Sequence, residues 1–540
     1  MGRTLGGFVS LRAILALLLA LSPSTTAPAA SVETLPLGDP DRALHLISGK
    51  VGQFVDLRRP VSAPGAAVVE LPALVADLAT ADVVLIGEHH AQRAGHEVEA
   101  RVLAALADSG TPVALGMEFF ESADDDALAR FAAGKLPVDE MLLETGWYEQ
   151  GGINFGYYRP LLEIARDHGA PILGLNVPRS VVRTVSRQGV EALSEADRKL
   201  VGDLAKPDLR HRYLVDALLG GFAASMPDMF ENMYRGQRAW DAAMAASIVR
   251  AKQGVAKDRV LVVIVGVGHV AHGHGIPERL AALAPTLEIR ILGPVVAEKP
   301  DPEAQAHPGV SSDESAAVSR GHADVAYVLP DSSGAEEYPR FGMGLEQAEG
   351  SKVVKIASVE AGGVGSRAGL RAGDVLVAVD GDKVVDLGRL KLRLAQSRWE
   401  QRVLLTVRRG DDETVVPVLM VPAPDGPGRW VSSEPMSSIL DSFDPRSMRS
   451  YLPEKGPSVA VPQARLVSFQ DKPVRLDLWD GTRLIQTWKL DDAGRLVKGL
   501  FVDPASDGAV TVELTRDASG AVTAERRLGA DGQPVASESP

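Results

Sequence analysis

The sequence predicts an α/β domain with a mostly parallel sheet wrapped by helices, followed by a second compact unit and a β-rich C-terminal segment. Three observations carry that prediction. Between Leu71 and about Pro294, short apolar runs alternate with stretches whose apolar residues recur at helical spacing, the pattern of strand–helix–strand units joined by right-handed crossovers. Those runs close on polar or ligating side chains, as in Val83-Val84-Leu85-Ile86-Gly87-Glu88-His89-His90. From Val459 onward, apolar and polar residues alternate between recurring Gly turns, which is the signature of an antiparallel meander.

In chain order, residues 1–29 read as an export signal. Arg3 and Arg12 flank the start of an apolar run, Ala13–Leu21, and Ala27-Pro28-Ala29 supplies a small-residue cleavage site. The run is shorter than the roughly 20 residues that span a bilayer. The expectation is an exported protein, periplasmic or associated with the cell envelope. Residues up to 70 read as a lead-in with a pair of short strands around Gln53–Leu57. The first domain is assigned to 71–298. Its strands are expected at Val83–Gly87, Val113–Glu118, Pro171–Asn176, Val260–Gly266 and Glu288–Leu292. Helices are expected at Ala91–Ala107, Ala127–Ala133, Tyr157–His168 and, as one long helical region, Asp208–Lys252. The Pro-, Ser- and acid-rich stretch 299–339 reads as a linker, 340–422 as the second unit, 423–458 as another linker and 459–540 as the β-rich tail. Turn signals in the tail fall at Asp480-Gly481, Ala493-Gly494, Asp507-Gly508, Ser519-Gly520 and Asp531-Gly532.

Composition removes several classes of function. A net charge of −14, without a basic run, argues against a nucleic-acid partner. The chain has no cysteine, so disulfides, thiolate metal sites and thioether-attached haem are excluded, and a metal would rest on His, Asp, Glu or Tyr.

Parallel sheets bind ligands beyond the carboxyl ends of their strands, and the unusual polar residues fall there. Glu88 and His90 end the first strand and point to the same side, because strand side chains alternate; His89 faces away. Glu118 ends the second strand, Asn176 the third, and His269 follows the fourth in Gly266-Val267-Gly268-His269. Glu88, His90, Glu118 and His269 suit a divalent metal held by oxygen and nitrogen, or a general acid/base pair without one. The plainer reading is a hydrogen-bonded polar rim. Residue types alone leave the two open.

Gly87-Glu88-His89-His90, Gly116-Met117-Glu118, Asn176-Val177-Pro178-Arg179, Trp240-Asp241-Ala242-Ala243-Met244-Ala245 and Gly266–His269 followed by Gly275-Ile276-Pro277 together resemble the ChaN family of haem-binding proteins, related to the Tiki, TraB and erythromycin esterase groups. The resemblance implies haem binding connected with iron uptake at the cell envelope, and through the Tiki relatives a metal-dependent peptide cleavage. Carried over by motif, the residues are Glu88, His90, Glu118 and His269, with Arg179 as an anion partner. Haem needs an axial ligand and an apolar slot. Tyr148, Tyr157, Tyr158, His96 and His211 are candidates for the first, and Met226, Met229 and Met233 for the second; an ordinary helix face packed on the sheet is the simpler account of the Met stripe. His272 and His274 add imidazoles after His269, with His274 expected in a solvated loop.

The second unit resembles a PDZ domain through Arg340-Phe341-Gly342-Met343-Gly344-Leu345, Ala368-Gly369-Leu370-Arg371-Ala372-Gly373-Asp374-Val375-Leu376 and Val379-Asp380-Gly381. The resemblance implies that the loop Phe341, Gly342, Met343, Gly344 receives a terminal carboxylate while a peptide adds beside Met343–Gln347, facing a helix at Leu387–Gln396. Two functions follow for the whole chain. One is an exported haem- or iron-cofactor-binding protein whose PDZ unit docks a partner's peptide C-terminus. The other is a metal-dependent hydrolase or peptidase working through the Glu/His rim on PDZ-recruited substrate.

Overall fold

The computed structural model describes residues 37–43, 45–59, 67–149, 153–204, 206–221, 223–297, 315–331, 337–425, 429–435, 462–469, 471–501, 511–529 and 533–534. The expected export signal 1–29 lies outside these, as do the turn signals at Asp507-Gly508 and Asp531-Gly532. Among the described residues no helix is long and apolar enough to cross a membrane.

The strands of the first domain are β1 (Leu46–Lys50), β2 (Phe54–Asp56), β3 (Val68–Val69), β4 (Val83–Glu88), β5 (Val113–Glu121), β6 (Ile172–Asn176), β7 (Val260–Gly266), β8 (Ile289–Val296), β9 (Ser315–Ser319) and β10 (Val325–Leu329). Eight of them form one sheet in the order β3-β2-β10-β8-β4-β7-β5-β6. From β10 to β6 every pairing is parallel, and β2 and β3 close one edge antiparallel. Every residue of β4 and β7 is buried. Helices cover both faces of these strands, which is why their sequences are continuous apolar runs rather than alternating ones.

Helices form at Arg93–Asp108, Asp125–Ala132 and Arg159–Asp167, close to expectation. Val138–Glu144, Arg179–Gln188 and Glu195–Val201 are helical as well. The region expected as one helix over Asp208–Lys252 is two, Leu209–Leu218 and Pro227–Gln253. The break falls at Gly220 and Gly221, whose φ of 88° and 74° lie in the left-handed region that glycine enters without strain.

Two linkers need correction. The stretch 299–339 contains β9 and β10, and β10 sits inside the first domain's sheet between β2 and β8. Its five residues, Val-Ala-Tyr-Val-Leu, are all buried, and the Tyr327 hydroxyl donates to the Gly87 carbonyl at 2.5 Å. The lead-in before residue 71 likewise supplies β2 and β3 to the same sheet. The stretch 423–458 contains a strand at Arg429–Pro435 that pairs with Pro462–Phe469.

The second unit is a six-stranded antiparallel sheet of β11 (Met343–Gln347), β12 (Val354–Val359), β13 (Val375–Val379), β14 (Asp382–Lys383), β15 (Arg402–Arg409) and β16 (Asp412–Leu419), with helices Val364–Ala368 and Leu387–Ala395. The tail is a meander of seven consecutive strands, β17 (Arg429–Pro435), β18 (Pro462–Phe469), β19 (Lys472–Asp480), β20 (Arg483–Leu490), β21 (Leu496–Phe501), β22 (Thr511–Arg516) and β23 (Val522–Leu528). Gly481, Gly494 and Gly520 take the expected turns with φ of 56°, 74° and 90°.

Because β10 completes the sheet and reaches the backbone of β4, Tyr327→Ala should destabilise the first domain by ~3–5 kcal/mol, the range for emptying a buried aromatic site. Urea unfolding of parent and variant, followed by tryptophan fluorescence, measures this; an unchanged midpoint would remove β10 from the core.

Candidate functional site

The ends of β4, β5 and β7 carry two clusters in which buried carboxylates face imidazoles. In the first, Glu88 is 1% exposed. Its Oε1 accepts the Tyr158 hydroxyl at 2.9 Å and lies 2.7 Å from His90 Nδ1. Its Oε2 has no hydrogen-bond partner and stands 3.4 Å from His96 Nε2. His96 and Glu99 are one turn apart on the helix Arg93–Asp108, on one face, with His96 Nδ1 3.0 Å from Glu99 Oε2. Glu99 is fully buried, and its Oε1 is unpartnered. Burial raises the Glu99 carboxyl above the usual carboxylate range against the pull of His96. The same burial would lower His96, but Glu99 and Glu88 override it and push the imidazole up to about 9. Two carboxyl groups, each with one bare oxygen, thus flank one imidazole. Ligand atoms of Glu88, His96 and Glu99 all lie within 4.8 Å of one another, a spacing that would suit a cation once His96 has given up its proton.

In the second cluster, Glu118 Oε2 accepts the Gly266 N–H at 2.6 Å, and Oε1 lies 3.3 Å from His269 Nε2. The other ring nitrogen, Nδ1, is 2.5 Å from Asp241 Oδ1 and 2.8 Å from Gln237 Nε2. Gln237 and Asp241 stand one turn apart on the long helix Pro227–Gln253. Asp241 Oδ2 is unpartnered, 3.6 Å from His211 Nε2. Burial opposes charge on His269, yet the carboxylates of Glu118 and Asp241 push it up to about 10. Burial also works against the Glu118 carboxylate, but His269, His90 and the Gly266 N–H bring it down to about 2.

His90 joins the clusters. Its Cε1 and Nε2, and Glu118 Oε2, lie 2.7, 3.2 and 3.4 Å from the point where a Gly266 Cβ would be, so any larger residue at 266 would push the two strand ends apart. The edge of the Phe119 ring packs on the imidazole at 4.9 Å. Above the clusters opens a cavity of about 660 Å³, with Glu88, His89, His90, Gly266 and His269 on its floor and Val215, Leu218, Leu219 and Val296 along its sides. His89, expected to face away from its neighbours, lines the same cavity, because β4 ends at Glu88 and strand alternation stops there. Burial lowers the His89 imidazole below its usual pKa and favours the neutral form, whose lone pair is free to bind a metal.

Glu88, His90, Glu118 and His269 thus share one rim, as their positions at strand ends predict. They do not surround one ion-sized point; among the described residues the compact set is Glu88, His96 and Glu99. Three expected cofactor contacts are corrected. Tyr158 is 0% exposed and gives its hydroxyl to Glu88, so it props the carboxylate from behind. Arg179 is exposed, and its charge and backbone N–H act on Glu121 rather than on the cavity. Met229 is 46% exposed, with Met226 and Met233 at 52% and 40%, so that stripe is neither a cavity wall nor packed on the sheet. His274, expected in solvent, is buried. Sequence reasoning did not single out Glu99, Asp241 or Gln237. The signals were a carboxylate one turn from His96, and a lone Asp within the apolar run Trp240–Ala245.

In the second unit, Phe341, Gly342, Met343 and Gly344 form the loop that enters β11. The Phe341 and Gly342 carbonyls accept from Gly365 and Glu360 N–H groups, each at 2.7 Å, and Gly342 holds a φ of 66°.

Residues 74–280 match the family described as haem-binding uptake, Tiki superfamily, ChaN, and residues 339–419 match the PDZ domain family. The chain therefore carries a ChaN-like domain followed by a PDZ domain. The protein RETICULATA-RELATED 5, chloroplastic, of Arabidopsis thaliana is 29% identical over 147 residues, covering 24% of this chain and 19% of the plant protein's length. Among solved structures, one describing cofacial heme binding to ChaN of Campylobacter jejuni aligns with 51% of this chain and 95% of its own at 11% identity and a TM-score of 0.36. The open conformation of a mutant of the erythromycin esterase EreC aligns with 51% of this chain and 83% of its own at 12% identity and a TM-score of 0.26. Scores this low carry no functional reading.

The paired charges fix a pH dependence. A histidine raised in the native state stabilises fully below its unfolded pKa of about 6.5 and loses that contribution as pH climbs through about 10 for His269 and about 9 for His96. Glu118, depressed, contributes above about 4.3 and loses it as pH falls through about 2. The urea midpoint of the first domain should therefore fall between pH 7 and 10, each group giving a slope of up to about 1.4 kcal/mol per pH unit. Asp241→Asn should make the fall shallower; an alkaline limb of unchanged slope in that variant would disconnect His269 from Asp241.

Proposed function

We propose that this is an exported haem-binding protein of the cell envelope, serving iron uptake, in which the cavity above the Glu/His rim takes the haem and the PDZ unit docks a partner peptide. The observation that carries the reading is a cavity of about 660 Å³ that combines an apolar flank with a neutral, cavity-facing imidazole at His89, inside a domain whose sequence matches a haem-binding family. Haem asks for an axial ligand and an apolar slot, and the volume lies within the roughly 300–1,000 Å³ of small-ligand sites. His89 would supply the ligand. Val215, Leu218, Leu219 and Val296 would cover the macrocycle, and Gln237, which reaches both the cavity and His269, offers a polar contact at its edge. When bound, haem supplies a redox-active iron; the chain's residues orient it and exclude water. Export rests on the pattern of residues 1–29.

A second reading is favoured by Glu88, His96 and Glu99, whose bare oxygens and tight spacing suit a divalent cation beneath the cavity. A metal there would acidify a bound water, which supports a hydrolase reading on PDZ-recruited peptides.

Titrating the purified protein with haem should give a saturable, shifted Soret band with one haem per chain, and His89→Ala should weaken binding about tenfold or more while leaving the far-ultraviolet circular dichroism unchanged. A spectrum that stays that of free haem would reject the reading. Elemental analysis after exposure to Zn²⁺ or Mn²⁺ tests the second: one ion per chain in the parent, falling below about a tenth in His96→Ala, is expected. Equal metal content in parent and variant would exclude the buried trio.

A further inference from the structure

The strand β11 is the edge of its sheet, so its outer N–H and C=O groups are open to an added strand. It faces the helix Leu387–Ala395, and between them runs the groove of the PDZ unit. At the end where Phe341, Gly342, Met343 and Gly344 sit, the groove is shared with the first domain. It runs into a cleft of about 1,110 Å³ whose opposite wall is made by Tyr148, Ile153, Asn154 and Tyr157 of the first domain.

The two walls are fastened together. Asn154 Nδ2 donates to the Ala395 carbonyl at 2.9 Å, and Lys391 Nζ donates to the Tyr148 carbonyl at 3.1 Å. Gly388 packs so closely on Glu149 that a Cβ would overlap the carboxylate. Tyr338, just before the carboxylate-accepting loop, stands edge-on to Tyr157 with ring centroids 4.7 Å apart, and Arg398 covers its ring at 4.8 Å. Gly388, Lys391 and Ala395 hold the helix Leu387–Ala395 against the first domain along its whole length, including the last turn, where a peptide's final side chain would be received.

We propose that the peptide site is composite: for the free-carboxylate tail that the PDZ reading implies, the first domain builds the far wall of the terminal pocket and so selects a large apolar last residue. The proposal rests on reading the PDZ unit as a peptide-docking module. The loop fixed by the Phe341 and Gly342 carbonyls directs backbone N–H groups to the carboxylate, and the Lys391 ammonium at the cleft wall favours the same charge. The pocket beyond is lined by Leu394 and Phe341 on one side and by Ile153, Tyr157 and Tyr338 on the other. A small last residue would leave that apolar space unfilled and forgo the dispersion contacts of a packed interior.

The test uses the full chain and fluorescent decapeptides ending in leucine acid, leucine amide or alanine acid, read by anisotropy. The leucine acid should bind at least tenfold tighter than its amide and at least fivefold tighter than the alanine acid. Ile153→Asp should weaken the leucine peptide about tenfold, and the milder Ile153→Ala about threefold, with the leucine-over-alanine preference shrinking in both. If acid and amide bind alike, or neither binds, peptide docking itself fails. If the acid binds selectively but Ile153→Ala and Ile153→Asp keep the parent affinity and preference, docking stands and the composite site is overturned.

Discussion

Four carboxylates, Glu88, Glu99, Glu118 and Asp241, are removed from water at one edge of the parallel sheet, with exposures of 1%, 0%, 9% and 2%. An isolated buried carboxylate costs far more than a folded domain can sustain unless it is paired or protonated. The first domain pairs them with His90, His96 and His269, and the rest of the site follows from where those rings must stand. His269 has to lie between Glu118 on β5 and Asp241 on the long helix, which ties that helix to the sheet. His96 has to lie between Glu88 on β4 and Glu99, which ties the helix Arg93–Asp108 to the strand before it. Tyr158 shares Glu88 Oε1 with His90, and the Gly266 N–H takes Glu118 Oε2, the oxygen turned away from His269. Two oxygens of the first cluster, Glu88 Oε2 and Glu99 Oε1, stay bare, against one of the second, Asp241 Oδ2, where the Gly266 N–H adds a backbone donor.

The β4 rim was legible because burial writes a plain pattern. Six consecutive buried residues cannot include a charge without reason, so Glu88 marks itself; His90 stands beside it through a 2.7 Å contact to its carboxylate in the turn after β4, where alternation has ended. Asp241 and Glu99 were harder to find. Both lie inside helices, where a carboxylate every turn or so is ordinary on a solvated face, and only the helix's rotation in the fold tells that these two point inward. The same ambiguity misplaced Met229: apolar residues at helical spacing read as a packed face, but the break at Gly220 and Gly221 turns that end of the helix Pro227–Gln253 outward. Strand β10 escaped for a different reason. Five residues are too few to outweigh the Pro-, Ser- and acid-rich chain before them, and their burial depends on β2 and β8, neither of which is adjacent in the sequence.

The placement of β10 joins the units in sequence as well as in space. The chain leaves the first domain's sheet at Leu329 and reaches the PDZ loop at Phe341 by way of Tyr338, which packs on Tyr157. Tyr157 in turn lies against His96, with ring centroids 5.2 Å apart. A continuous line of aromatic contacts thus runs from the loop before β11 to the imidazole between Glu88 and Glu99. Contact of this kind transmits a change only if some member has two arrangements. Tyr157, only 6% exposed, is locked by its neighbours, whereas Tyr338 is half-buried and borders the open cleft. Tyr338 is itself held between Tyr157, Arg398 and Gly156, where a Cβ would overlap its hydroxyl.

Ala91 lines both the cavity above the rim and the cleft beside the PDZ loop. It follows His89 and His90 directly, in the turn between β4 and the helix Arg93–Asp108. The two openings therefore meet at a turn whose preceding residues are the cavity's imidazoles. The turn is pinned on both sides of that meeting point: the Gln92 N–H donates to the His89 carbonyl at 2.9 Å, and His96 Nε2 lies 3.1 Å from the His90 carbonyl. The imidazole that stands between Glu88 and Glu99 thus also fixes the backbone from which His89 and His90 project.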